Sequence, residues 1–196
     1  MMRIITGKAR GVRLQAPGGE TTRPTSERAK EAVFSMLQFE LDGREVLDLF
    51  AGSGQMGLEA ISRGAKHAVF CDRSREAVEV IRGNMLKTRL APQCEVFCSD
   101  HTALLQSFRR RRCFDLVFLD PPYALGLVPN ALKSLLTYGL LRDGAKIICE
   151  TASPEDVFGD DTELPTHFEL LRSTGYGVAY VTVLQYQSTK REDETV

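Results

Sequence analysis

The sequence predicts an α/β fold: a seven-stranded, mostly parallel sheet with an antiparallel last strand, flanked by helices and preceded by an N-terminal β-hairpin. Three observations predict it. Short apolar runs alternate with helical patterns between Val46 and Cys149, the mark of a parallel sheet covered on both faces. A glycine-rich turn follows the first of these runs and opens a helix. The last two runs, Phe168 to Ser173 and Val178 to Tyr186, have no helix between them, and Gly175-Tyr-Gly177 turns the chain back.

Taken in order, Arg3–Thr6 and Val12–Ala16 are partly alternating stretches, and Gly7-Lys-Ala-Arg-Gly11 between them turns the chain. This is the hairpin. Pro17 to Pro24 is too rich in Pro and Gly for regular structure and reads as a loop. Thr25 or Ser26 then caps a helix whose apolar face is Ala29, Val33, Phe34, Met36 and Leu37. Val46–Phe50 is the first strand, and Leu58–Arg63 a short helix stopped by Gly64. His67–Cys71 is a strand ending at Asp72, and Ser74 caps the helix that carries Ala77, Val78, Ile81, Met85 and Leu86. Cys94–Cys98 is a strand ending before Asp100, with a helix over Ala103–Arg110. Phe114–Leu119 is a strand ending at Asp120, followed by a helix over Pro129–Tyr138 and a strand at Lys146–Cys149. Residues 188–196 read as a flexible polar tail.

The composition excludes several classes. With 196 residues, 43% apolar and 26% charged, the chain is an ordinary globular domain. It is long enough to bury a core without disulfides or metal. No apolar run reaches membrane-spanning length, so no membrane association is expected. Met1–Arg13 lacks the apolar stretch of a secretory signal. The five cysteines are odd in number and contain no CxxC pair. They read as reduced thiols of a cytoplasmic protein, with no metal site.

The net charge of −1 hides an asymmetry. Residues 1–30 hold seven Lys/Arg against two acids, net +5, and residues 150–196 hold three against ten, net −7. The basic segment suits phosphate contacts, with Arg10 and Arg13 as candidates. A second basic run, Arg109–Arg112, either complements a helix end or touches nucleic acid.

Gly52-Ser-Gly54-Gln-Met-Gly57 matches GxGxxG between a strand and a helix, and Asp72 ends the next strand. That context is the nucleotide-binding pattern, with the acid placed for ribose hydroxyls. Asp48 opposes a dinucleotide, because a charge inside the first strand would repel pyrophosphate. Asp100 puts a third acid at a third strand end. Three carboxylates along one edge suit a nucleoside with a cationic amino-acid tail, which is S-adenosyl-L-methionine.

Asp120-Pro121-Pro122-Tyr123 ends another strand of the same sheet and so shares that edge. Asp120 can accept a hydrogen bond from a substrate amino group. Pro121, with φ fixed and no N–H, helps aim a carbonyl inward as a second acceptor. Tyr123 can stack on a planar ring. Two acceptors on an amino nitrogen favour its tetrahedral form and aim the lone pair at a bound methyl group, so the reaction needs mainly positioning.

Asp48-Leu-Phe-Ala-Gly-Ser-Gly54 resembles the first motif of class I S-adenosylmethionine-dependent methyltransferases, a Rossmann-like fold. The resemblance implies that Asp48, Ala51, Gly52, Ser53 and Gly54 lie by the methionine moiety, Asp72 holds the ribose and Asp100 accepts from the adenine amino group. Asp120–Tyr123 resembles the (D/N)PP(Y/F) motif of enzymes that methylate amino nitrogens. With Met2–Gly11, Thr22-Arg-Pro-Thr25, Arg28 and Glu31–Phe34, the chain resembles the bacterial small-subunit ribosomal RNA guanine 2-amino methyltransferases, the RsmD family, from Met2 to about Tyr186. Gln55-Met56 departs from the small or apolar pair usual there, and Asp72 stands where Glu is commoner.

The resemblance implies an enzyme acting on ribosomal RNA or the small ribosomal subunit; nothing in the sequence demands more than a monomer, and the cysteine usage suits the cytoplasm. Residues 1–40 would be an RNA-contacting appendage, 41–187 the methyltransferase domain and 188–196 the tail. Thr25 and Arg23 would close over cofactor or RNA, and the guanine would be unpaired or flipped out. The competing readings are a DNA adenine methyltransferase, which would need a larger recognition insert, a protein glutamine methyltransferase, an RNA-binding assembly factor retaining the fold, and an NAD oxidoreductase.

Overall fold

Val46 and Leu47 are adjacent, point to opposite faces of one strand and are both completely buried. A strand can bury both faces only between two layers, and the chain supplies them. The computed structural model describes residues 2–18, 27–123 and 126–188. The elements are α1 (Glu27–Met36), β1 (Glu45–Asp48), α2 (Gln55–Ser62), β2 (His67–Asp72), α3 (Arg75–Thr88), β3 (Cys94–Cys98), α4 (His101–Ser107), β4 (Phe114–Leu119), α5 (Leu127–Thr137), β5 (Leu141–Thr151), β6 (Phe168–Tyr176) and β7 (Ala179–Tyr186).

The strands form one seven-stranded sheet in the order β3-β2-β1-β4-β5-β7-β6. The pairs from β3 to β5 are parallel, and β7 runs antiparallel to both β5 and β6. The predicted sheet is therefore present, with the antiparallel strand inserted one place from the edge. Alternation along the strands splits the core in two. Val46, Phe70, Phe118 and Ile148 pack with Val33, Phe34, Leu58 and Ile61 on one face. Leu47, Val69, Val117 and Ile147 pack with Leu105, Leu132 and Leu135 on the other.

Several boundaries differ from the sequence expectation. Helix α2 begins at Gln55, three residues before Leu58, because Gly54 at φ 75° turns straight into it. Strand β5 starts at Leu141 rather than Lys146, carried through the unpatterned Arg142–Gly144 by pairing of Leu141 with Phe114 on β4. The N-terminal hairpin is reduced to one antiparallel bridge, Arg3 with Arg13, plus backbone bonds joining Ile4 to Val12 and Leu14 to Met2. Its strands are short because it docks on α2 instead of joining the sheet. Ser74 caps α3 as expected, accepting from the Ala77 N–H. The cap expected at Thr25 or Ser26 lies outside the described residues.

All five cysteines are free thiols; Cys71 and Cys149 are buried, Cys94 is half-buried, and Cys98 and Cys113 are exposed. Arg112 makes a two-pronged pair with Glu95 at 2.9 Å per bond and lies over Phe108, so one member of the basic run is structural. Among the described residues no helix is long and apolar enough to cross a membrane.

Candidate active site

The strand order reverses between β1 and β4. At such a switch point the two crossover connections leave in opposite directions and open a crevice at the carboxyl ends of the strands. Asp48 closes β1, and Asp120 follows the last residue of β4. The two acids singled out from the sequence therefore flank the crevice.

The turn after β1 is held by its own backbone and by side chains behind it. The Ala51 N–H donates to the Cys71 carbonyl at 2.9 Å, and the Gly54 N–H to the Ala51 carbonyl at 2.6 Å. The Gly52 N–H donates to Asp72 Oδ2 at 2.9 Å. Ser53 is buried, and its carbonyl accepts from Asn84 Nδ2 at 2.9 Å. Gly57 cannot bear a side chain, because a Cβ there would lie 2.4 Å from the Phe70 ring. A Cβ on Gly52 would meet no atom of the described residues within 4 Å. The turn thus packs tightly below and stays open above, which fits a ligand lying against its backbone.

Asp48 is 4% exposed, and its Oδ2 accepts from the Gly57 N–H at 3.0 Å. Burial pushes its carboxyl up to about 7; the Gly57 N–H opposes the shift and Asp72 adds to it. A carboxylate held out of water this way is primed for a cationic partner. Asp72 divides its oxygens between the Gly52 N–H and the Ser74 N–H, the latter at 2.8 Å. It braces the turn from the carboxyl end of β2. Asp100 is exposed and caps α4, accepting from the N–H groups of Thr102 and Ala103. Slight burial pushes its carboxyl up, but those N–H groups and neighbouring His101 outweigh it and hold it below the ordinary value. The three acids end, or closely follow, β1, β2 and β3 on one edge, and they suit the ammonium, ribose and adenine ends of S-adenosyl-L-methionine. Among the described residues no cluster suits a metal ion.

Asp120 is half-buried, Pro121 buried, and Pro122 and Tyr123 exposed. The Tyr123 hydroxyl donates to Glu150 Oε1 at 2.6 Å. Glu150 closes in on this site from β5 and is 8% exposed. Sequence reasoning missed it, although a lone acid ending an apolar strand, as Asp72 and Asp120 do, was the available signal. It also missed Asn84, whose pattern position on α3 reads as an ordinary polar residue. Thr25 and Arg23 lie outside the described residues.

The basic N-terminal segment runs along α2. Met2 Sδ receives the Ser53 hydroxyl at the turn, the Ile5 and Thr6 N–H groups donate to Glu59, and the Lys8 N–H donates to the Ser62 carbonyl. An eight-residue helix is about 12 Å long, so Lys8 and the neighbouring Arg10 lie that far from the glycine turn. The sequence reading has the basic hairpin and loop hold RNA phosphates while the sheet edge receives the base. The structure places Arg3 and Arg13 partway along and Arg10 at the far end, because Glu59 and Ser62 fix the segment lengthwise.

Comparison with known proteins agrees with this geometry. The conserved hypothetical protein 95 family matches residues 2–185. The ribosomal RNA small subunit methyltransferase D of Haemophilus influenzae is 32% identical over 178 residues, covering 90% of each chain. The Escherichia coli protein of that name is 35% identical over 150 residues, covering 76% of this chain and 74% of its own. A solved Escherichia coli structure, yhhF, described as a candidate methyltransferase, superposes with a TM-score of 0.81 at 31% identity, covering 95% of this chain and 98% of that one. A seven-stranded sheet with its crevice at the β1/β4 switch, and relatives of this similarity along nearly the whole chain, lead to one assignment: the chain belongs to the conserved hypothetical protein 95 family, that of the ribosomal RNA small subunit methyltransferases D.

Proposed function

We propose that this protein transfers a methyl group from S-adenosyl-L-methionine to the exocyclic 2-amino group of a guanine in small-subunit ribosomal RNA. The observation that carries this reading is the placement of the glycine turn and Asp120–Tyr123 on either side of one switch point. A methyl donor and an amino-group acceptor then lie side by side. The family relationship supports ribosomal RNA as the substrate.

Bound in the crevice, S-adenosyl-L-methionine supplies an electrophilic methyl group on a sulfonium. Asp48 faces its ammonium, the backbone of Ala51–Gly54 lies under the methionine moiety, Asp72 holds the ribose and Asp100 the adenine amino group. Asp120 and the Pro121 carbonyl each accept one hydrogen of the guanine 2-amino group. Held this way, the nitrogen cannot keep its lone pair conjugated with the ring, and the pair points at the methyl carbon. The new N–C bond forms as the C–S bond breaks; the nitrogen proton departs toward Asp120, and S-adenosylhomocysteine is the leaving product. Tyr123 stacks on the base. Residues 1–40 form an RNA-contacting appendage to the catalytic domain at 41–187, acting as a monomer.

The test is methylation of small ribosomal subunits from cells lacking the enzyme, with mass mapping of the modified nucleotide. A 2-methylguanine in the ribosomal RNA of treated subunits is the expected result. Methyl transfer to adenine, to protein or to nothing overturns the reading.

A further inference from the structure

We infer that Glu150 determines base specificity: its carboxylate accepts the N1–H of the target guanine and excludes bases whose N1 is an acceptor. The inference rests on the guanine reading above and deepens it. It starts from strand register. Leu119 on β4 pairs with Cys149 on β5, so one residue further on Asp120 stands opposite Glu150. Neighbouring strands lie about 4.8 Å apart, and side chains alternate in direction. Asp120 and Glu150 therefore carry on the face that holds Phe118 and Ile148. The rim presents two carboxylates abreast.

Glu150 is 8% exposed, and an acid that deep has to be used or neutralised. Tyr123 donates to Oε1 at 2.6 Å, which takes one of about four lone-pair sites on the carboxylate. Oε2 makes no hydrogen bond among the described residues. The tyrosine bond fixes the plane of the carboxylate and leaves its second oxygen to a ligand.

Guanine supplies the missing donor. Its Watson–Crick edge carries three N–H bonds: two on the 2-amino group and one at N1. Asp120 and the Pro121 carbonyl account for the first two, and Glu150 is the acceptor beside them for the third. A base in the same pose with a bare N1 sets a lone pair against a carboxylate. Sites built around a hydrogen bond reject analogues that cannot make it, because the buried group is then left unpaired.

The experiment compares small subunits reconstituted with guanine or with 2-aminopurine at the mapped position. The analogue keeps the 2-amino group and has a bare N1. The wild-type enzyme is expected to prefer guanine at least about tenfold in kcat/KM, since a hydrogen bond to a charged group carries that much discrimination. In Glu150→Gln the amide can donate to a bare N1, so the guanine rate falls and the preference collapses toward unity. S-adenosylmethionine affinity stays unchanged. Tyr123→Phe slows the reaction but keeps the preference for guanine.

Three results overturn the inference. One is a wild-type enzyme that methylates both bases equally, a readout that needs no variant to fold. Another is a Glu150→Gln enzyme with undiminished preference. The third is a Glu150→Gln effect on preference that vanishes in the Tyr123→Phe background, which makes Glu150 only a support for the ring. A wild-type enzyme that methylates no guanine overturns instead the proposed function on which the inference stands.

Discussion

Lys30 on α1 and Glu59 on α2 meet at 3.1 Å with both side chains almost wholly out of water, at 2% and 0% exposure. Around them Lys30 Nζ donates to the Arg3 carbonyl, Arg63 Nε pairs with Glu59, and Glu59 accepts from the N–H groups of Ile5 and Thr6. One carboxylate thus ties the N-terminal segment, α1 and α2 together. Removing it strands a buried ammonium and two N–H groups. Glu59→Ala is expected to cost about 3–5 kcal/mol, read as a lowered urea midpoint.

Asp48 gives a pH signature. Its folded-state value of about 7 lies above the unfolded 3.8, so its contribution to stability is fully present below the unfolded value and is lost as pH rises through about 7. Asp48→Asn cannot titrate. Its melting temperature is expected to gain on the wild type at pH 8 relative to pH 5. Affinity for S-adenosyl-L-methionine, which needs the ionised form, is expected to rise by up to about tenfold per unit toward pH 7 in the wild type. Calorimetry on the variant should give weaker, flatter binding over pH 5.5 to 7.

Asp120→Ala is expected to lower kcat by at least about a hundredfold. S-adenosyl-L-methionine affinity should stay within about twofold, because the proposed function sets Asp120 against the amino group and not the donor. Calorimetry beside radiolabelled methyl transfer separates the two effects. Loss of cofactor binding would place Asp120 in the wrong role.

Asn84 is fully buried and makes three bonds of 2.9 Å: to the Gln15 N–H, the Gln15 carbonyl and the Ser53 carbonyl. Asn84→Ala leaves those groups unpaired and opens a small void. A loss of about 2–4 kcal/mol is expected by denaturation. Weaker cofactor binding should accompany it, since Ser53 belongs to the glycine turn.

RNA affinity is expected to fall with rising salt. Replacing Arg10 and Arg13 by Ala should reduce the slope of log affinity against log salt by roughly one to two. Both side chains are exposed. An unchanged slope in filter-binding assays would take the segment off the RNA surface.

The sheet was legible because its strands are buried on both faces: runs such as Phe114–Leu119 leave little choice but a covered interior. The glycine turn and the proline pair were legible because backbone chemistry restricts which residues can stand there. Glu59, Asn84 and Glu150 were not. Each is a polar residue whose partner lies far along the chain: Ile5 is 54 positions from Glu59, Gln15 is 69 from Asn84, and Tyr123 is 27 from Glu150. Nothing local separates such a residue from a solvated one. The lengthwise docking of the N-terminal segment was hidden for the same reason, since it depends on Glu59 and Ser62. The start of β5 was hidden because Arg142–Gly144 carries no alternation and is held by contacts far along the chain, Leu141 with Phe114 and Asp143 with Ser188.

The glycine turn is anchored at Asp72, Asn84 and the Cys71 carbonyl by protein groups alone. Its shape is therefore set before a nucleoside arrives. Little chain entropy of this turn remains to be lost on association, so its share in capturing the methyl donor should resemble docking into a rigid mould.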